Sequence, residues 1–319
     1  MAQFLIKRLI GLVFVLVGVT FITFIIGYAA PGDPIQEMLG NHFNLAQYMR
    51  LKHSYGLDLP WYQQYFNYVF RLLRGDLGYS FQTVNRPVFA ILQDGLPTSL
   101  ELGLWGLLVQ LIIGVPLGIL AALKSGTWID TLSMGLAIFL FAVPSFILAS
   151  LFQVAIVYLH LSFGVDWPVS GWGNTWQYSP TDIQTKIGPI IIYAAIGLAY
   201  FARLTRTSTL EILRQDYIRT ARAKGLKERI VIYRHAMRNA LIPIITVLGV
   251  SLGFLVSGAF FTENVFNISG IGYITIQSIY TRDYPVIQAT AVLLATAVVL
   301  GNLASDLLYT VVDPRIKVS

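Results

Sequence analysis

The 319-residue sequence contains no cysteine. That excludes a disulfide framework, a thiolate metal site and a thiol nucleophile, and it leaves the redox compartment open. Histidine is nearly as scarce: His42, His53, His160 and His235 lie far apart, and no pair has the spacing of a metal site. Charge is scarce too, at 12% of residues against the roughly 25% usual in soluble domains. No Gly-rich loop ending in Gly-Lys-Ser/Thr is present, so nothing in the chain itself cradles a nucleotide phosphate. What fills the sequence instead is apolar: 55% of residues are hydrophobic and the mean hydropathy is +0.66. The chain reads as an all-α polytopic membrane protein.

Leu9 to Ala30 carries no charge and is long enough to cross a hydrocarbon core of about 30 Å. A signal peptide is the competing reading, since Lys7 and Arg8 precede the run. The run exceeds the usual apolar length of such a peptide and Pro31 abuts the only small-residue site, so a retained first transmembrane helix is expected. Residues 31–97 form an excursion with five basic and five acidic residues, too polar to span. Within it, Trp61, Tyr65, Tyr68, Val69 and Leu72 recur at helical spacing between Pro60 and Gly75. The excursion is either a cap packed on its own aromatics or a docking surface for a delivered ligand or its carrier.

Further spans are expected at Leu102–Leu123, at Leu132–Leu159 with a kink at Pro144, at Ala240–Thr262 and at Val286–Ser305. Ile187–Ala202 is short for a span. Counting it gives six spans with both termini cytoplasmic, and puts 15 of the 22 Lys and Arg residues inside. The organisation is therefore 1–30 as tail and first helix, 31–97 as an extracytoplasmic insertion, and 98–319 as a core of five further helices.

Segment 203–238 breaks the oily pattern. It holds ten basic residues against three acidic ones, an excess larger than the +6 of the whole chain. Leu210, Leu213, Tyr217 and Ala221 define one expected apolar face, Gly225 a bend, and Ile230, Tyr233, Met237 and Leu241 a second stripe. An elbow of two amphipathic helices held between membrane helices can carry force from a soluble partner. Anionic lipid or the positive-inside rule alone would account for the charge but not for the glycine bend. Nucleic acid is not an expected partner, because the segment is tethered to the bilayer and has little aromatic interleaving. In the spans, Gly249 and Gly253 with Ser257 and Gly258 suggest close helix packing. Asp306 near the inner end of the last span suggests capping or snorkelling beside Arg315.

Tyr217-Ile-Arg-Thr-Ala-Arg-Ala-Lys-Gly225 resembles the Glu-Ala-Ala, three residues, Gly loop of membrane-spanning permease subunits of bacterial ABC importers, with Arg219, Thr220 and Ala221 at the three motif positions. The departures at Arg219 and Thr220, and His235-Ala-Met-Arg-Asn-Ala-Leu-Ile-Pro243 beyond, are similar to the dipeptide/oligopeptide branch and to its first permease subunit. Pro31-Gly-Asp-Pro34, Gly75-Asp-Leu-Gly78, Pro97-Thr-Ser-Leu-Glu-Leu102, Arg282-Asp-Tyr-Pro-Val286 and Asp313-Pro-Arg-Ile316 extend the likeness along the whole chain.

The resemblance implies a type I ABC importer permease fold in a bacterial or archaeal inner membrane. It also implies partners: a second homologous permease subunit, two ABC ATPase subunits and an extracytoplasmic substrate-binding protein. The chain would bind no cofactor of its own, with ATP and Mg on the partner subunits, and would not be an enzyme. Asp216, Tyr217, Arg219, Thr220, Ala221, Lys224, Gly225 and Leu226 would couple to an ATPase subunit, with the apolar stripes and Ala221 seated in its cleft. Gln153, Ser251, Ser257 and Glu263 are the candidate pathway residues. The substrates implied are di- or oligopeptides, although relatives of the branch also handle nickel complexes, glutathione, haem or oligosaccharides. An ion-coupled carrier is the alternative, and would want buried acidic residues at mid-membrane; the sequence alone offers Asp306.

Overall fold

The structure, a computed structural model, describes residues 2–39, 44–83, 86–256 and 259–312, with side chains as far as Ser305. Ser257, Gly258, Arg315 and residues 313–316, and the side chains of Lys7 and Asp306, lie outside the described residues together with the expectations placed on them.

Helix α1 (Ala2–Ala29) leads into three short helices, α2 (Pro34–Leu39), α3 (Leu45–Ser54) and α4 (Trp61–Leu73). The bundle continues with α5 (Val88–Leu123), α6 (Trp128–Ala142), α7 (Ser145–Phe163) and α8 (Pro180–Leu213). The basic segment folds as α9 (Asp216–Ala223), α10 (Glu228–Ile230), a π-helical turn over Val231–Ala236 and α11 (Met237–Ala240). Helices α12 (Ile242–Phe254), α13 (Phe260–Val265), α14 (Ile271–Tyr280) and α15 (Tyr284–Val312) complete the chain. Among the described residues the one extended pairing is the bridge between Tyr79 and Pro87.

Among the described residues five helices are long and apolar enough to cross a membrane, and the bent pair Glu228–Ala240 and Ile242–Phe254, taken as one span, makes a sixth. The 44° bend of that pair falls at Leu241, where Pro243 cannot donate to the turn before it. The run Ile187–Ala202, short by sequence, is the middle of the 34-residue α8. Its start is set by a capping box in which Ser179 and Asp182 exchange hydrogen bonds.

The expected single helix over Leu132–Leu159 is corrected. Val143 and Pro144 are both extended, with ψ of 122° and 140°, so the run is divided into α6 and α7 instead of being kinked. A proline disfavours the helical region for the residue before it, and here Val143 leaves that region, which turns a bend into a break. The pair still makes one crossing. Gly106 lies against Tyr193, Gly114 against Leu198 and Phe201, and Gly118 against Ala202 and Thr205. These steps run in the same direction on both helices, so α5 and α8 are parallel and the segment between them must return across the bundle.

Glycine sets how closely these helices approach. A Cβ at Gly114 would stand 2.9 Å from the Leu198 carbonyl oxygen, and one at Gly249 2.5 Å from Ser305 Cα. Gly253 faces Ala297 and Gly301 in the same α12–α15 contact, so the small-residue step at 249 and 253 serves packing. The insertion is tied to the bundle by Asp283, which accepts from the Ser80 hydroxyl and, at 3.0 Å, from the Phe81 amide.

Candidate functional site

Two features stand apart from the packed bundle: the basic elbow at one end and a cavity at its centre.

The elbow is a small core of its own. Ile218 and Ala221 of α9 are buried against Val231, Ala236, Met237 and Ala240, with Ile212 and Leu213 of α8 packed on them. Gly225 makes the bend with φ of +76°, and a Cβ there would meet nothing within 4 Å. The left-handed backbone conformation, not space, is what calls for glycine. Arg222 and Glu228 close the bend with a forked ion pair at 2.7 and 3.2 Å. Asn239 donates to the Tyr217 hydroxyl at 2.8 Å, and Ser208 of α8 donates to the Ala240 carbonyl at 2.8 Å. Above the elbow, Arg206 grips Asp130 at the start of α6 with bonds of 2.6 and 2.7 Å. The elbow is thus bolted to α8, and α8 in turn to α6, a precondition for passing force to them.

Both expected stripes are corrected in phase. On α9 the buried pair is Ile218 and Ala221, while Tyr217 is 41% exposed. The helix is interrupted at Gln215, so the spacing that aligns Leu210, Leu213 and Tyr217 does not carry through. Beyond the bend, Ile230 and Tyr233 are exposed and Val231, Ala236 and Met237 are buried. The π-helical turn closes i→i+5 rings and shifts the buried face by a fraction of a turn. Ala221 therefore faces the chain's own core and not a partner. Asp216, Arg219, Thr220, Lys224 and Leu226 stay exposed. Arg219 reaches Asp216 at 3.4 Å, and Thr220 donates to the Asp216 carbonyl at 3.0 Å.

The central cavity is about 1040 Å³. Phe141 and Ser145 flank the break between α6 and α7; Phe254 and Ala259 flank the gap between α12 and α13; all four line it. Its polar groups are Gln110, Ser145, Tyr193, Tyr200, Ser251 and Thr262. Ser251 is therefore on the wall, its hydroxyl donating to the Val247 carbonyl at 2.8 Å. Gln110, noticeable by sequence only as a polar interruption of α5, has no side-chain partner among the described residues and faces the same space.

Gln153 and Glu263 are not on that wall. Gln153 donates to the carbonyls of Val169 and Val265 at 3.1 and 3.0 Å, which pins α7 to the loop before α8 and to the end of α13. Glu263 is fully buried and accepts from the Ser99 hydroxyl at 2.8 Å and from the amides of Ala259 and Tyr273 at 3.0 and 3.1 Å. It anchors α5, α13 and α14 to one another.

A second buried carboxylate was invisible by sequence. Glu101 of α5 meets the Lys186 ammonium at 2.8 Å, and both are almost without exposure. Lys186 also donates to the carbonyls of Asn174 and Gln177 at 2.8 and 2.7 Å, and Glu101 accepts from Trp172 Nε1 and the Trp176 amide, each at 2.9 Å. Glu101 and Glu263 are thus buried carboxylates saturated with donors. Partners 85 residues apart leave no local signal.

A bundle of six crossings with a braced basic elbow at one end is a type I ABC importer permease fold, and the chain is a multi-pass inner membrane transport subunit. It belongs to the family described as binding-protein-dependent transport system inner membrane component, matched over residues 114–318, with the family's N-terminal component matched over residues 1–103. It is 39% identical over 338 residues to the dipeptide transport system permease protein DppB of Alkalihalophilus pseudofirmus, covering 99% of this chain and 100% of that one. The DppB of Escherichia coli is 36% identical, with 99% of each chain covered. The oligopeptide transport system permease protein AppB of Bacillus subtilis is also 36% identical, with 99% and 100% covered. Among solved structures, an inward-facing MetNI methionine ABC transporter superposes with a TM-score of 0.55 at 19% identity, over 70% of this chain and 97% of that one. That likeness speaks to the fold.

Proposed function

We propose that the chain is one half of the translocation pathway of an ATP-driven importer of di- or oligopeptides, and that 203–238 is the element through which an ATPase subunit moves it. The single observation that carries the coupling reading is the division of the elbow into two faces. Ile218, Ala221, Val231, Ala236 and Met237 are buried toward the bundle, whereas Tyr217, Leu226, Ile230 and Tyr233 remain 41, 38, 40 and 72% exposed among arginines and lysines. Exposed aromatic and aliphatic anchors ringed by charge are what a protein partner recognises. This orientation makes the elbow end cytoplasmic, puts both termini there, and leaves the insertion outside to meet a substrate-binding protein.

The partners are a homologous second permease subunit, two ABC ATPase subunits carrying ATP and Mg, and that binding protein. The cavity lined by Gln110, Tyr193, Tyr200 and Ser251 opens toward where the second permease subunit completes the pathway. Its aromatic walls and sparse hydrogen-bonding groups suit a peptide of variable side chains, gripped weakly and released. Peptide substrates are supported by what the full-length relatives are named to carry. Alternating access follows if closure of the ATPases displaces the elbow, which drags α8 through Ser208 and Ala240 and α6 through Arg206 and Asp130.

The test is Gly225→Val in the reconstituted complex. A β-branched residue at φ of +76° costs on the order of 1–2 kcal/mol locally and should distort the bend while the bundle still assembles. ATP hydrolysis should then no longer depend on loaded binding protein, and uptake should fall by at least about tenfold. Unchanged uptake with unchanged stimulation of hydrolysis refutes the coupling role.

A further inference from the structure

Helix α4 has three sides, and one of them is exposed among the described residues. Tyr62, Phe66, Phe70 and Leu73 recur every three or four residues and are 46, 59, 61 and 78% exposed. The adjacent side meets the first span. Tyr65 packs its ring 5.5 Å from Phe21 and 5.4 Å from Phe24, and its hydroxyl lies 3.4 Å from that of Thr20. The third side is polar, with Gln63, Asn67 and Arg74.

The contact with α1 fixes the depth. The crossing part of α1 is Ile10–Ala29. Phe24 and Thr20 stand five and nine residues before its end, about 8 and 14 Å along the helix. A helix touching α1 there cannot be standing in bulk water. On α1 itself Phe21, Ile22 and Ile26 are exposed at the same level, so the apolar face of α4 continues the surface that the span turns to lipid. An apolar face, a polar face and a depth of this order are the properties of a helix lying in the plane of the interface.

We propose that α4 is immersed in the outer leaflet, with Tyr62, Phe66, Phe70 and Leu73 seated among lipid acyl chains instead of against a protein. The choice of leaflet rests on the orientation given under Proposed function; the immersion rests on α1 alone. The insertion is then moored to the membrane at α4 and to the bundle at Asp283, and whatever docks on it meets a platform of fixed height.

The absence of cysteine from the chain makes the test direct. In the assembled complex in lipid nanodiscs, single cysteines replace Phe66, Phe70, Gln63 and Asn67, each carrying a nitroxide, with the unsubstituted complex as background. Accessibility to oxygen, which dissolves in lipid, is compared with that to a water-soluble nickel chelate. Phe66→Cys and Phe70→Cys should favour oxygen several-fold and Gln63→Cys and Asn67→Cys the chelate, with no change on adding the binding protein. Equal chelate access on both faces overturns the proposal in favour of an aqueous cap. Exclusion of both reagents at Phe66 and Phe70 overturns it in favour of a protein partner. Phe70→Trp, which keeps the face aromatic, gives a second reading: lipids brominated in their tails should quench the added emission, and no quenching refutes the immersion. Because depth is read and not transport, failure here leaves the Gly225→Val result untouched.

Discussion

The two ends of the bundle treat charge in opposite ways. At the insertion end, Glu101, Lys186, Glu263 and Asp283 are buried and saturated with hydrogen bonds. At the elbow end most arginines and lysines are exposed; Arg222 clasps the bend, Arg219 reaches Asp216, and Arg206 ties α8 to α6. Buried charge of the first kind cannot be rearranged cheaply, because either partner left alone keeps its desolvation cost. Exposed charge of the second kind contributes little to folding and is free to meet a partner. One end is a frame and the other a handle.

That contrast can be broken or sharpened by substitution. The largest effect is expected at the frame. Lys186→Met strands the Glu101 carboxylate, which should destabilise the protein by about 3–5 kcal/mol and lower its thermal unfolding midpoint in detergent. Adding Glu101→Leu should recover much of that loss. A double variant as unstable as the single one would mean the pair is not the source of the cost.

Close helix approach comes next. Gly114→Leu must push against the Leu198 carbonyl oxygen, 2.9 Å from a Cβ, and should cost about 1–3 kcal/mol, again read from thermal unfolding. At the handle, Arg222→Ala removes a pair that is 44% and 55% exposed, and stability should change by no more than about 1 kcal/mol. Its consequence should appear in transport by the reconstituted complex, since the bend loses its clasp. The smallest effect is expected at His53 on the insertion. The Asp58 hydrogen bond raises the imidazole above its ordinary pKa, so its stabilising contribution is present below that ordinary value and is lost as pH rises through the raised one. His53→Gln should therefore match the parent in thermal unfolding at about pH 8 and differ only slightly at about pH 5.

Much of this was legible in sequence, for reasons that differ by region. Uncharged runs report spans directly, and weighing the positive charge of 203–238 kept the short run Ile187–Ala202, which α8 contains. The small residues at Gly249 and Gly253 announced a close contact. Phase was not legible. A glycine bend can be seen, but the interruption at Gln215 and the π-helical turn at Val231–Ala236 depend on packing, and each moved a buried face away from the periodic expectation. Two of the four candidate pathway residues lie off the cavity wall for another reason. Gln153 and Glu263 look available because polar side chains in apolar surroundings invite a transport role. Their partners, at Val265 and Ser99, are 112 and 164 residues away, and only folding brings them together. Gln110, with no such partner among the described residues, faces the cavity instead.

The π-helical turn has one more consequence. Its wide rings hold one more residue per turn than the α-helix around it. Returning those six residues to α-helical bonding would rotate everything from Met237 onward by about 100° and advance it by about 1.5 Å, without unravelling a hydrogen-bonded turn. The segment joining the handle to the fifth crossing therefore contains a stored increment of screw motion, released or taken up by a change of bonding register alone.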